Sequence, residues 1–144
     1  MSYIKFEIAT PERVVLKIEE VKQVTVPTKE GEITVLPNHI PLVAFLQSGV
    51  VEVVTADDSK EVVSVSGGFI EVLKNKLVIL ADTAERAYEI DIDRAEEARK
   101  RAEQTIKEAR RFDRAKFIEV SVAIAKELAR SKAVKRWKRI KKID

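Results

Sequence analysis

Glu89-Ile90-Asp91-Ile92-Asp93-Arg94-Ala95-Glu96-Glu97-Ala98-Arg99-Lys100-Arg101-Ala102 is the stretch across which the chain changes its structural period. From Ala95 onward apolar residues fall three and four apart, at Ala95, Ala98, Ala102, Ile106 and Ala109, the spacing of one face of an α-helix. Glu96, Glu97, Arg99, Lys100, Glu103 and Lys107 fill the opposite face. Upstream the rhythm is different. Short Val-, Ile- and Phe-rich runs recur: Ile4–Ile8, Val14–Ile18, Val21–Val26, Ile33–Leu36, Val50–Thr55, Glu61–Val65, Phe69–Leu73 and Leu77–Leu80. Turn-forming residues separate them, at Thr10-Pro11, Lys29-Glu30-Gly31, Pro37-Asn38, Asp57-Asp58-Ser59 and Lys74-Asn75. Val50-Val51 and Val62-Val63 place apolar side chains on both faces of their strands, which predicts cover on both sides.

Glycine and proline divide the chain at nearly the same place. All four Gly and all four Pro precede residue 69, so nothing downstream interrupts a long helix. A second apolar stripe runs through Ala115, Ile118, Val122, Ala125 and Leu128 or Ala129, with Asp113 as the expected N-cap. Two amphipathic helices joined by a short turn predict an antiparallel hairpin. Its seam is mostly alanine, so the hairpin is expected to be only marginally stable alone. The fold class is therefore α+β: an antiparallel β-sandwich or flattened barrel over residues 1–89, then a two-helix hairpin with a basic tail over 90–144.

Charge follows the same division. The chain has 144 residues and a formal net charge of +3. Residues 1–89 hold 9 basic and 14 acidic residues, net −5, whereas residues 90–144 hold 18 basic and 10 acidic, net +8. Residues 131–144 alone carry seven basic side chains, Lys132, Lys135, Arg136, Lys138, Arg139, Lys141 and Lys142, against Asp144. That tail reads as a solvated, frayed helix end, or as a nucleic-acid patch with Trp137 stacking on a base.

Several chemistries are excluded. Without cysteine there is no disulfide, no thiolate nucleophile and no Cys-ligated metal. His39, the single histidine, supports neither a multi-histidine metal site nor a Ser–His–Asp set. There is no Gly-x-x-x-x-Gly-Lys-Ser/Thr loop, and Asp57-Asp58 reads as a solvated turn. The N-terminus has no secretory h-region and no run reaches bilayer-spanning length, so an intracellular soluble chain with no direct membrane insertion is expected. No catalytic chemistry and no required cofactor are expected.

Four segments in order carry a family resemblance. Glu30-Gly31-Glu32-Ile33-Thr34-Val35-Leu36-Pro37-Asn38-His39-Ile40-Pro41-Leu42 is similar to "EGE-x-x-x-LP-x-H-x-PL", and Ser66-Gly67-Gly68-Phe69-Ile70-Glu71-Val72 to "SGGF-x-EV". Leu80-Ala81-Asp82-Thr83-Ala84-Glu85-Arg86 is similar to "LADTAER", and Ile90-Asp91-Ile92-Asp93-Arg94-Ala95 to "I/L-D-x-x-R-A". Together the chain resembles the epsilon subunit of the F-type ATP synthase, the equivalent of mitochondrial delta.

The resemblance implies a sandwich of about ten strands, followed by a hairpin that folds down or extends. It implies a rotor subunit, peripheral on the cytoplasmic face of the bacterial plasma membrane. That subunit links the gamma shaft to the membrane c-ring and inhibits ATP hydrolysis through its C-terminal helices. Glu32 and His39 are placed at contacts with gamma and the ring. Lys132, Lys135, Arg136, Lys138 and Arg139 are placed against the acidic DELSEED segment of the catalytic beta subunit. Regulatory ATP is implied at Glu85, Ile90, Asp91, Arg94, Ala95 and Arg101. On the second helix one register gives Lys126 and Arg130, and the other gives Ser121 and Ala125. Read from the residues alone, Asp91 is a helix N-cap, a role compatible with a ligand contact. The alternative is a nucleic-acid or ribosome-associated protein binding through its basic helices. The acidic β module argues against it, and no nucleic acid is expected.

Overall fold

The computed structural model describes residues 2–109 and 114–142. Seven strands are formed: β1 (Ile4–Ala9), β2 (Val14–Thr28), β3 (Gly31–Val35), β4 (Leu42–Phe45), β5 (Gly49–Thr55), β6 (Lys60–Val72) and β7 (Lys76–Arg86). Helices α1 (Ile92–Ala109) and α2 (Arg114–Lys141) follow a short 3-10 turn at Ala87–Glu89. The strands run in the order β1-β7-β6-β5-β2-β3; β4 adds to β6, and a β1–β2 pairing closes the circuit into a flattened barrel.

Seven continuous strands stand where about ten were expected, because long strands serve two layers. β2 pairs with β1 over Val14–Val21 and with β3 and β5 beyond it. β6 pairs with β5 over Lys60–Val65 and with β4 over Phe69–Val72. β7 leaves β1 at Leu80 and continues along β6 to Arg86. A second correction concerns direction: β1 and β7 run parallel, so the sheet is mixed rather than wholly antiparallel. β4 has no counterpart among the predicted runs.

β6 changes layer at Gly67-Gly68. Both have positive φ, +70° and +111°, and a Cβ on Gly68 would strike the Leu80 carbonyl across the ladder. Only glycine lets β6 and β7 stay paired through this bend.

Twenty buried residues fill the space between the layers, with Phe6, Ile8, Leu46, Ile70, Leu77 and Ile79 among the largest. A second, smaller cluster lies outside the sandwich. Val50, Val62, Ala87 and Ile90 meet Ala95, Ala133 and Val134 there, with Trp137 and Ile140 packed against them. Strand alternation explains it: Val51, Val53, Val63 and Val65 point into the main core, so Val50 and Val62 point out, and the hairpin covers them. Burying each Val or Ile contributes on the order of 1.5–3 kcal/mol.

The helical tail is thus not a frayed end. α2 stays regular to Lys141, and its last third docks on the sandwich. The expected stripe on α2 is also displaced. Ala115, Ile118 and Val122 are exposed; of the expected stripe only Ala129 is buried, beside Val120, Ser131, Ala133 and Val134. α2 contacts α1 and then the sandwich along its length, so its apolar residues wind around the helix instead of forming one stripe. The expected Asp113 cap lies outside the described residues.

Candidate functional site

β7 delivers Glu85 and Arg86 to the edge of the sandwich, the 3-10 turn redirects the chain, and Ile90 is buried at the joint. Asp91 then starts α1. Its Oδ1 accepts from the Asp93 and Arg94 amides at 3.0 and 3.2 Å, satisfying two donors of the open first turn. The cap reading of Asp91 is therefore realised, and its side chain is exposed.

Across the joint, Arg130 of α2 reaches Glu85. Its Nη2 donates to Glu85 Oε2 at 3.3 Å, and its Nε lies 3.0 Å from Oε1 without hydrogen-bond alignment. Arg130 Nη1 also donates to Glu127 Oε2 at 2.8 Å. One guanidinium thus bridges two carboxylates, with the Arg130 and Glu85 side chains 19% and 30% exposed. Beside it, Arg86 donates to Glu61 Oε2 at 2.9 Å and stacks over Tyr88, 4.7 Å from the ring centre. On the hairpin seam the buried Ser131 hydroxyl donates to Glu96 Oε1 at 2.6 Å. That hydrogen bond, then the nearby Arg99, Lys135 and Lys100 charges, hold the Glu96 carboxyl below the usual range.

The residues expected around ATP distribute unevenly. Glu85 and Arg130 meet directly, and Ile90 and Ala95 are buried together in the joint. Arg94 and Arg101 are exposed on α1. Lys126 lines a separate 720 Å³ cleft with Phe45, Phe69, Asp82, Thr83 and Val122. Ser121, the residue of the other register, donates its hydroxyl to Phe117 O at 2.8 Å within its own helix.

Among the residues expected at interfaces, Glu32 is exposed on the terminal strand β3 and His39 sits in the β3–β4 turn. Asn38 takes φ +65° there, and its amide donates to Lys74 O at 3.2 Å, tying this turn to the β6–β7 turn. His39 Nδ1 donates to Ile40 O at 2.6 Å. Lys132, Lys135 and Arg139 are exposed, whereas Lys138 and Arg136 are half-buried. Arg136 lies 3.8 Å from Glu52 of β5, which Lys60 also approaches at 3.6 Å.

Sequence reasoning did not single out Glu127, Glu52 or an apolar surface. Glu127 was findable, because three residues before Arg130 is salt-bridge spacing on a helix. Glu52 was not, because its partner lies on a distant element. The apolar surface comprises Val43 and Phe45 on β4, 69% and 68% exposed, with Phe69 on β6 and Val122 on α2. Leu36, Ile40 and Leu73 are exposed in the neighbouring turns. Among the described residues no group of three or more His, Cys, Asp or Glu is arranged to hold a metal, and no helix is long and apolar enough to cross a membrane.

Residues 3–87 match the family model for the ATP synthase delta/epsilon chain, β-sandwich domain. The chain is 47% identical over 108 residues to the ATP synthase epsilon chain of Moorella thermoacetica, covering 75% of this chain and 80% of that one. It is 42% identical over 134 residues to that of Desulforamulus reducens, covering 93% and 94%. A chain in the cryo-EM structure of Euglena gracilis mitochondrial ATP synthase with its c-ring superposes with a TM-score of 0.76 at 28% identity, over 87% of this chain and 77% of that one. A chain of the Tetrahymena thermophila mitochondrial central stalk and c-ring shares the fold, with a TM-score of 0.55 at 14% identity, over 93% and 99%. The nucleic-acid alternative has no support in these likenesses.

Proposed function

The chain belongs to the ATP synthase delta/epsilon family as a non-catalytic epsilon chain of the F-type central stalk, and from that premise we propose that its sandwich joins gamma to the membrane c-ring while its hairpin regulates hydrolysis. The observation that carries this reading is the exposed apolar surface of Val43, Phe45, Phe69 and Val122. Contiguous exposed apolar residues on a soluble domain mark a protein interface. This one lies beside the turn that holds His39 and continues from the sandwich onto α2, so one partner can contact both modules. Gamma is the partner proposed for the surface, and the turns around Glu32 and His39 meet the ring. The subunit is peripheral, on the cytoplasmic face of the bacterial membrane.

Regulation follows as a population shift between the docked hairpin and an extended one. The docked form is held by a seven-residue cluster against twenty in the main core, so the hairpin separates before the sandwich unfolds. In the extended form Lys132, Lys135, Arg136, Lys138 and Arg139 meet the acidic segment of beta and brake hydrolysis. Regulatory ATP favours the docked form from the joint where Glu85 and Arg130 meet, with Asp91, Arg94 and Arg101 of α1 supplying further contacts.

Co-purification with gamma tests the joining role. Val43→Glu with Phe45→Glu is expected to abolish co-purification while leaving the melting temperature unchanged; retention on gamma at wild-type yield overturns the assignment. For the brake, charge reversal at Lys132, Lys135 and Arg139 is expected to raise ATPase activity of the reconstituted catalytic head, and unchanged activity counts against it.

A further inference from the structure

We propose that Glu52 of β5 is a latch for the hairpin, holding Arg136 on the sandwich and so withholding it from an acidic partner surface. The latch rests on the docked geometry alone; its effect on ATPase activity rests on the hydrolysis-regulating reading. Val50, Glu52 and Val54 alternate onto the outer face of β5, and Lys60, Val62 and Ser64 stand opposite them on β6. Ser64 in turn pairs with Glu85 on β7. The face that α2 covers therefore carries two carboxylates, Glu85 on β7 and Glu52 on β5, with β6 between them. Ordinary interstrand spacing sets those two strands about 10 Å apart, and six residues of helix rise about 9 Å. Arg130 and Arg136 are six positions apart, so α2 crosses the sheet with one guanidinium for each carboxylate.

The apolar residues between the two pairs accept only this register. Sliding α2 by one turn would offer Lys126 and Lys132 to the carboxylates, but it would set Arg130 where Val134 is buried in the cluster with Val50 and Val62. Glu52 divides its oxygens. Oε2 lies 3.8 Å from Arg136 Nη1, and Oε1 lies 3.6 Å from Lys60 Nζ. The Glu52 and Arg136 side chains are half-buried, so their attraction is screened less than that of a surface pair. Lys60 makes the latch reversible, because Glu52 keeps a partner when α2 leaves. Lys60 also competes with Arg136 for the carboxylate and repels it, so the two cations act in opposite directions on docking. Lys132, Lys135 and Arg139 are exposed with the hairpin docked, whereas Glu52 gives up Arg136 only when the hairpin separates.

In the full chain, Trp137 emission in urea and hydrogen exchange at the amides of residues 133–140 measure undocking. Glu52→Gln is expected to raise the undocking equilibrium about three- to fivefold, the reach of a partly buried ion pair. Arg136→Gln is expected to match it, and the double variant to add nothing to either. Lys60→Gln is expected to lower the equilibrium about twofold, the opposite sign, because it removes the competing cation. Glu19→Gln, an exposed charge loss on β2, is the control and is expected to stay at the wild-type value. No shift with Glu52→Gln beyond that control, or undocking promoted by Lys60→Gln as by Glu52→Gln, overturns the latch. ATPase activity of the reconstituted catalytic head separates the latch from the brake. Stronger inhibition with Glu52→Gln supports both, whereas enlarged undocking at unchanged activity supports the latch and counts against the hairpin as brake.

Discussion

Removing the Arg130 charge is expected to loosen the hairpin without unfolding the sandwich, and the structure fixes an asymmetry between the two ends of the pair. At about 4 Å and an effective dielectric near 20, opposite unit charges attract by roughly 4 kcal/mol before desolvation and side-chain ordering offset most of it. Exposed pairs retain about 0.2–1 kcal/mol. With side chains 19% and 30% exposed, Arg130 and Glu85 lie somewhat above that range, and a coupling of about 1 kcal/mol is expected. Glu85→Gln leaves Arg130 paired with Glu127 and is expected to cost about 0.5–1 kcal/mol. Arg130→Gln instead leaves Glu85 and Glu127 facing each other unpaired, a cost of about 2 kcal/mol. The double variant is expected to be no less stable than Arg130→Gln alone. Trp137, the single tryptophan, packs against the docking cluster, so its emission in urea follows the hairpin while far-UV circular dichroism follows the whole chain. Arg130→Gln is expected to enlarge the undocking equilibrium by more than about tenfold, since 1.4 kcal/mol is a factor of ten. A coupling energy indistinguishable from zero, or Glu85→Gln as damaging as Arg130→Gln, would refute this account of the joint.

Gly68→Ala is expected to destabilise the sandwich by about 3 kcal/mol, because φ is +111° and the new methyl meets the Leu80 carbonyl; Gly31→Ala, with φ +123° but no atom within 4 Å, costs less, and urea midpoints by circular dichroism compare them. The Asp57 carboxyl is held down at about 2 by hydrogen bonds from the Thr55 and then the Ser59 side chain, against 3.8 ordinarily. A depressed carboxyl pKa stabilises the fold above 3.8, and that contribution is lost as pH falls toward 2. Thr55→Val is expected to move the Asp57 titration upward, and a carboxyl NMR titration that stays put refutes the cause. Asp91→Ala removes the α1 cap at about 1 kcal/mol, and hydrogen exchange is expected to quicken at the Asp93 and Arg94 amides.

Much of the architecture was legible because it depends on local period. Alternation and turn residues located six of the seven strands, and the change to three-and-four spacing after Ile90 located α1. Asp91 was legible as a cap for the same reason, since a cap acts on amides two and three residues away. β4 was missed because four residues between Pro41 and Gln47 carry too short a pattern to register. The strand count was overestimated because a strand that bends between layers looks, in one dimension, like two strands.

Sequence by itself determined the division into a glycine- and proline-punctuated β module and a helical one, the charge on each, and the absence of thiol and multi-histidine chemistry. It also determined that the strands carrying Val50-Val51 and Val62-Val63 required cover on both faces. Only the tertiary structure decided that the last third of α2 supplies the outer cover. It alone decided that Arg130 answers Glu85 from 45 positions away. Periodicity says which face of an element is apolar, whereas the partner of that face depends on how a chain reversal brings distant elements together. An ion pair between such elements leaves no local spacing to read.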